Sequence, residues 1–164
     1  MSNTKENLQE AFAGESQANR SYLAFAKKAD MEGYTQVAKL FRAAAEAETV
    51  HAHSHLRAMG GIGATQENLK AAIAGETHEF KHMYPAMIEA SKKDGDKAAE
   101  RSFSYANEVE KVHAELYQKA LENLGSLEEV DYYVCSVCGY TCENEPPDNC
   151  PVCSSKVKVF FKAD

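Results

Sequence analysis

Apolar residues recur three and four positions apart along the first 125 residues, as in Val37, Leu40, Phe41, Ala44 and Ala45. That spacing lays an apolar stripe along one face of an α-helix. Glycine and threonine punctuate the stripe into four predicted helices. The first runs from about Thr4 to Asp30 and stops at Gly33; the second follows an N-cap at Thr35 and ends at Gly60 and Gly61. The third follows an N-cap at Thr65 and ends before Gly95; the fourth runs from about Asp96 to Leu124, with Gly125 beyond. Such residues are helix start and stop signals. Pro85 falls inside the third helix, where it removes a backbone donor and crowds residue 81, so a bend is expected there. After Val130 the pattern changes to β-branched and aromatic residues interspersed with Pro, Asn and Cys. The expected architecture is an all-α four-helix bundle over residues 1–129 and a small β/loop module over residues 130–164. The module is too short to bury a core of its own and needs a metal to hold it.

Composition narrows the function classes. The 164 residues are 44% hydrophobic with a formal net charge of −7, enough apolar content for a core and the wrong sign for nucleic acid. No run approaches the ~20 apolar residues of a membrane span. The opening MSNTKENLQE lacks a basic patch followed by an apolar stretch, so no secretory signal is expected. Of the five cysteines, four stand in paired spacing. In an untargeted chain this points to metal in a reducing, cytoplasmic compartment rather than to disulfides.

The candidate chemistry is written twice in the helical part. Ala13-Gly14-Glu15 is followed 33 residues after its Glu by Glu48-Thr49-Val50-His51; Ala74-Gly75-Glu76 is followed at 34 by Glu110-Lys111-Val112-His113. Residues three apart share a helix face, so each Glu-x-x-His aims a carboxylate and an imidazole at one point. One Glu from each of two helices, with Glu-x-x-His from each of two others, is the ligand set of four-helix di-iron and di-manganese sites. Hard oxygen donors mixed with imidazole suit iron or manganese better than calcium or structural zinc. Four carboxylates also balance two divalent ions, which lowers the cost of burying them.

The repeat breaks at Glu79, three residues beyond Glu76, where the first half has Ala18. A fifth carboxylate is surplus for two divalent ions and useful for two trivalent ones. Glu79 therefore reads as a redox-dependent ligand competing with His51 at one iron. Tyr22 lies two turns beyond Glu15, and Tyr84 five residues beyond Glu79. Either phenol serves as a hydrogen-bond or electron donor to bound oxygen species, or as a plain core aromatic. His53, His55, His78 and His82 read as solvent-exposed.

In the tail, Cys135-Ser-Val-Cys138 and Cys150-Pro-Val-Cys153 are separated by 11 residues. Two such knuckles close four thiolates around one tetrahedral ion, zinc or iron. Spacing alone does not choose between a structural clip and an electron carrier. Cys142 stands outside the pattern as a free thiol.

With both constellations in place the chain resembles the rubrerythrin family over essentially its full length. The resemblance is carried by AFAGESQANRSY, AEAETVHAH, GETHEFKHMYP, NEVEKVHAELY, CSVCGY and CPVC. It implies a ferritin-like di-iron domain followed by a rubredoxin-like module. By resemblance, Glu15, Glu48, Glu76, Glu79, Glu110, His51 and His113 are di-iron ligands, with Glu79 and His51 exchanging on redox change. Tyr22 and Tyr84 match tyrosines lining the family's site, and Glu79, Tyr22 and Tyr84 are the expected catalytic residues. Cys135, Cys138, Cys150 and Cys153 match the four thiolate ligands of a single rubredoxin-like iron, which favours iron, with zinc able to replace it in expressed protein. One departure is Ser154, where the second knuckle ordinarily carries Gly as the first does at Gly139.

The activity implied is reduction of hydrogen peroxide to water, with electrons returning through the rubredoxin-like iron. Their source would be rubredoxin or an NAD(P)H-dependent reductase, because no Gly-x-Gly-x-x-Gly follows a predicted strand. The alternatives are ferroxidase iron handling, which would not need the four-cysteine module, and a structural zinc-ribbon protein, which leaves the helical carboxylates unexplained. Helices two and three run parallel in a ferritin-like bundle, so their connection must travel roughly 32 Å if Glu48 and Glu76 serve one site. The short linker reaches at most about 25 Å. The expectation is a domain-swapped homodimer, each site mixing ligands from two chains.

Overall fold

The computed structural model of the chain describes residues 3–163. These fall into two compact units, one ending at Gly63 and the other beginning at Ala64.

The first unit is a hairpin of α1 (Thr4–Met31) and α2 (Thr35–Ala58). Asn3 caps α1 reciprocally with Glu6: its side chain accepts from the Glu6 N–H, and the Glu6 carboxylate accepts from the Asn3 N–H. The connection is tight because Gly33 takes φ +84°, a left-handed conformation that costs glycine nothing, while Tyr34 N–H reaches back to the Ala29 carbonyl. So short a turn forces the helices antiparallel. Asn19 accordingly donates to the Ala45 carbonyl at 2.7 Å, and Arg42 pairs with Asp30. The fully buried residues of the hairpin are all alanine: Ala26 and Ala29 on α1, and Ala38, Ala45 and Ala52, seven apart, on α2. Small side chains let the helices approach closely. Val37 and Leu40, expected in the stripe, are instead 45% and 68% exposed in this chain, because α1 packs on the alanine face beside them.

The second unit begins with α3 (Thr65–His78), continues without a break through a π turn (Glu79–Met83) into α4 (Tyr84–Asp94), and returns along α5 (Lys97–Glu122). The interruption expected at Pro85 takes the form of that π turn: Tyr84 N–H bonds the Glu79 carbonyl, five residues back. A widened turn relieves the crowding of the proline ring against the preceding turn while the helix runs on. Gly95 closes α4 at φ +74°, and the Asp96 side chain caps α5 by accepting from Ala98 and Ala99 N–H at 3.0 Å.

Thr35 and Thr65 are not N-caps. Each is the first helical residue, with Tyr34 and Ala64 at the cap positions and no side-chain cap bond. At α3 the Glu67 carboxylate serves instead, accepting from the Ala64 N–H at 2.8 Å.

After α5 the chain builds three short antiparallel strands, β1 (Tyr132–Cys135), β2 (Thr141–Glu143) and β3 (Phe160–Lys162), in the order β2-β1-β3. Within this unit the module is braced on α5 by the Lys119–Glu143 ion pair at 2.6 Å, and Gly139 lies close to Val109. No helix is long and apolar enough to cross a membrane among the described residues.

Candidate metal centres

The two Glu-x-x-His segments each gather their ligands as helical spacing demands. In the first unit, Glu15 from α1 joins Glu48 and His51 from α2; in the second, Glu76 from α3 joins Glu110 and His113 from α5. The two clusters have the same geometry. His51 Nδ1 stands 2.8 Å from Glu48 and 3.8 Å from Glu15, while His113 Nδ1 stands 2.8 Å from Glu110 and 3.9 Å from Glu76. Each cluster gathers two carboxylates and an imidazole closely enough that the three could hold one metal ion. Three hard-donor residues per cluster, two clusters per chain, fit a pair of iron ions.

Glu79 lies outside the tight cluster yet within its field. Burial raises its carboxyl above the usual 4.5, and the charge of Glu110 raises it further. Glu76 is raised for the same reasons, burial first and then Glu110. The π turn that begins at Glu79 also brings Tyr84 to this cluster. Its phenol is pushed up by burial and by the charges of Glu79, Glu110 and Glu76. Tyr84 therefore keeps its hydrogen at neutral pH. Tyr22 packs against Phe25 and Phe41, with ring centroids 6.4 and 6.0 Å away. His53, His78 and His82 are exposed, whereas His55 is half-buried.

In the module, Cys135, Cys138, Cys150 and Cys153 gather their sulfurs into one cluster. Cys135 and Cys153 Sγ are 3.7 Å apart, Cys138 and Cys150 Sγ 3.5 Å. A tetrahedral site with metal–sulfur bonds of about 2.3 Å has sulfur–sulfur edges of about 3.8 Å, so the four thiols are already set for one ion. Both knuckles make the same turn, Gly139 N–H bonding Cys135 O and Ser154 N–H bonding Cys150 O. Ser154 therefore adopts φ +61° where Gly139 has +86°, a left-handed position held against its Cβ. Burial pushes the Cys138 and Cys150 thiols up. Burial acts on Cys153 too, but hydrogen bonds with Ser155 outweigh it and bring that thiol down to about 6. Cys142 is free, and no cysteine among the described residues is in a disulfide.

One contact had no signal in the sequence: His113 Nε2 lies 3.1 Å from the Thr141 hydroxyl on β2, 28 residues away.

Comparison with known proteins agrees with both constellations. Residues 6–121 match the family described as Rubrerythrin, and residues 133–160 match the rubrerythrin rubredoxin-like domain. The chain is 36% identical to rubrerythrin-2 of Clostridium acetobutylicum, covering 96% of this chain and 95% of that protein. It is 34% identical to nigerythrin of Nitratidesulfovibrio vulgaris, covering 96% and 85%. Solved structures of nigerythrin in partially reduced and all-ferrous states align over 99% of this chain and 88% of theirs, with TM-scores of 0.61 and 0.60 at 32% identity. The chain belongs to the rubrerythrin family, an iron protein with a ferritin-like di-iron domain and a rubredoxin-like module of four clustered cysteines.

Proposed function

We propose that this chain is a non-haem di-iron peroxidase, reducing hydrogen peroxide to two waters with two electrons and two protons. The observation that carries the reading is the pair of matched Glu-His clusters in one chain with a four-cysteine cluster. When loaded, the helical centre supplies two electrons for peroxide O–O cleavage and the thiolate-bound centre supplies them one at a time. Nigerythrin, solved in mixed-valence, partially reduced and all-ferrous states, is a relative whose irons change oxidation state.

The residues have separate duties. Glu15, Glu48, Glu76 and Glu110 would hold and neutralise two divalent ions, and His51 and His113 would complete the set. Glu79, on the helix of the second cluster, is the fifth carboxylate and would replace His51 as a ligand when oxidation adds positive charge. The Tyr84 phenol, kept protonated by burial and by its carboxylate neighbours, would donate a hydrogen bond to substrate oxygen; Tyr22, two turns beyond Glu15 on α1, would do the same from the first cluster. Cys135, Cys138, Cys150 and Cys153 hold the relay iron. The functional division is residues 1–129 for chemistry and 130–164 for electron delivery. Rubredoxin or an NAD(P)H-dependent reductase feeds the relay, and cysteines paired for metal rather than for disulfides suit a cytoplasmic, reducing setting.

Assembly follows from chain reach. Glu48 lies ten residues before the end of α2 and Glu76 eleven after the start of α3. In a ferritin-like bundle these positions share one site, and the linker must then cover about 32 Å. From Ala58 to Thr65 the chain spans at most about 25 Å. A domain-swapped dimer satisfies both, with Glu15, Glu48 and His51 of one chain completed by the partner's Glu76, Glu79, Glu110 and His113. The exposed Val37, Leu40 and Val50 of the α1–α2 hairpin are the apolar surface such a partner would cover.

The test is steady-state consumption of peroxide by iron-loaded protein supplied with NADH, a reductase and rubredoxin. Turnover that requires the protein and stops after iron removal supports the reading. Accumulation of ferric mineral from added Fe(II), without sustained peroxide turnover, would replace it with iron handling.

A further inference from the structure

The hydroxyl of Thr141 sits between the two metal constellations of the second unit. Its oxygen lies 3.1 Å from His113 Nε2 and 3.1 Å from the Gly139 carbonyl, to which it donates. A hydroxyl has a single hydrogen. With that hydrogen on Gly139 O, the Thr141 oxygen accepts from His113, so Nε2 carries the ring hydrogen. Nδ1, 2.8 Å from Glu110, then presents its lone pair to the cluster. A ligating imidazole needs this arrangement, because the second ring nitrogen must give its hydrogen to an acceptor that fixes the ring.

We propose that Thr141 is a positioning residue for His113. Its hydroxyl accepts the Nε2–H and ties the ring to the peptide immediately after Cys138. The orientation of a helical-site ligand is thereby set by the four-cysteine module. The inference rests on the reading of Glu110 and His113 as metal ligands. Three features of the fold support it independently of that hydrogen bond. Thr141 is held in register on β2 opposite Val134 of β1. The Lys119–Glu143 pair ties the same strand to α5 about one and a half turns beyond His113. Gly139 packs against Val109, one turn before His113 on the same helix. The chain therefore grips α5 on both sides of this histidine. The His51 side chain is 56% exposed within its own unit, that of His113 28%.

The test uses the full chain with its four-cysteine module filled by zinc and its helical site metal-free. Mn2+ binding is titrated by the electron paramagnetic resonance of the free ion, in wild type, Thr141→Val, Thr141→Ser and His113→Ala. Thr141→Val keeps shape and strand preference, and should weaken Mn2+ binding by about tenfold or more. Thr141→Ser should bind close to wild type. In 15N-histidine protein fully loaded with Zn2+, the His113 Nε2–H resonance should persist in wild type and Thr141→Ser. In Thr141→Val it should vanish through exchange with water. A merely structural defect would not restore both readouts in the serine variant. Should Thr141→Val lose its helical circular dichroism, Thr141→Ala takes its place in the same comparison. Unchanged affinity with a persistent resonance in the hydroxyl-free variant overturns the role of Thr141 and leaves the site standing. Wild type that takes up no Mn2+, or His113→Ala that binds as tightly as wild type, overturns the ligand reading and the inference with it.

Discussion

Lengthening the linker between Ala58 and Thr65 should convert the proposed swapped dimer into a monomer. The positions of Glu48 and Glu76 on their helices set a required crossing of about 32 Å for a parallel bundle within one chain. The native connection reaches about 25 Å when fully extended, leaving a deficit of roughly 7 Å. Full extension is itself entropically costly for a segment containing Gly60, Gly61 and Gly63, since a flexible chain of this length has a typical end-to-end distance of about 15 Å. Inserting eight Gly/Ser residues after Gly61 raises the maximum reach to about 50 Å and the typical distance to about 21 Å. The crossing then needs moderate rather than impossible stretching. Light scattering during size exclusion reads the outcome. Wild type should run at twice the chain mass of 18.1 kDa, and the insertion variant should shift toward 18.1 kDa as it is diluted, with helical-site iron per chain unchanged. An insertion variant with the wild-type mass at every dilution refutes the reach argument. So does a wild-type monomer that holds two irons in its helical part.

Glu79→Ala should bind two Fe(II) nearly as wild type does but destabilise the oxidised state and slow peroxide turnover by about tenfold or more; an unchanged oxidised spectrum and rate would show that Glu79 is no ligand. Cys135→Ser or Cys150→Ser should abolish the module's iron absorption while the helical site still reacts once with peroxide, and turnover driven by external reductant should collapse to background. Full NADH-linked turnover in either variant would make the module a structural clip. Burial and neighbouring carboxylates raise Glu76 and Glu79 above 4.5, so the folded metal-free state holds protons that the unfolded state has lost. Stability of the metal-free protein should therefore fall as pH rises from 4.5 through those raised values, and Glu79→Gln should flatten that fall. Thermal melts in chelator that give wild type and Glu79→Gln the same slope would contradict this.

The helices were legible because apolar periodicity and glycine punctuation agree: Gly33 and Gly95 end helices in left-handed turns, as their placement announced. The caps were less so. Threonine is an acceptable cap by chemistry, but Glu67 reaches back to the Ala64 N–H, and a charged acceptor one turn inside the helix makes a hydroxyl before it unnecessary. Val37 and Leu40 satisfy helical periodicity, yet the inner seam of the hairpin is alanine, since only short side chains permit the approach at which Asn19 reaches the Ala45 carbonyl. Pro85 marked an interruption without revealing its form; a π turn keeps the helix continuous and re-aims Tyr84, where a kink would have parted the two segments. The gathering of the Glu and His side chains was readable because Glu-x-x-His spacing is local and occurs twice. Thr141 was not, because its partner lies 28 residues away and nothing in a lone threonine points to an imidazole. Ser154 shows the opposite case, a sequence departure whose consequence the backbone makes plain at φ +61°.

Stopped-flow mixing of fully reduced, iron-loaded protein with one equivalent of peroxide, and separately with O2, tests the central claim most directly. The account predicts that peroxide oxidises the helical centre first, two electrons per peroxide, faster than O2 does. Oxidation of the thiolate-bound iron should follow, and chain whose Glu48 and His51 are both alanine should not show the first phase. Faster oxidation by O2 with release of peroxide, or an undiminished first phase in that double variant, would contradict it.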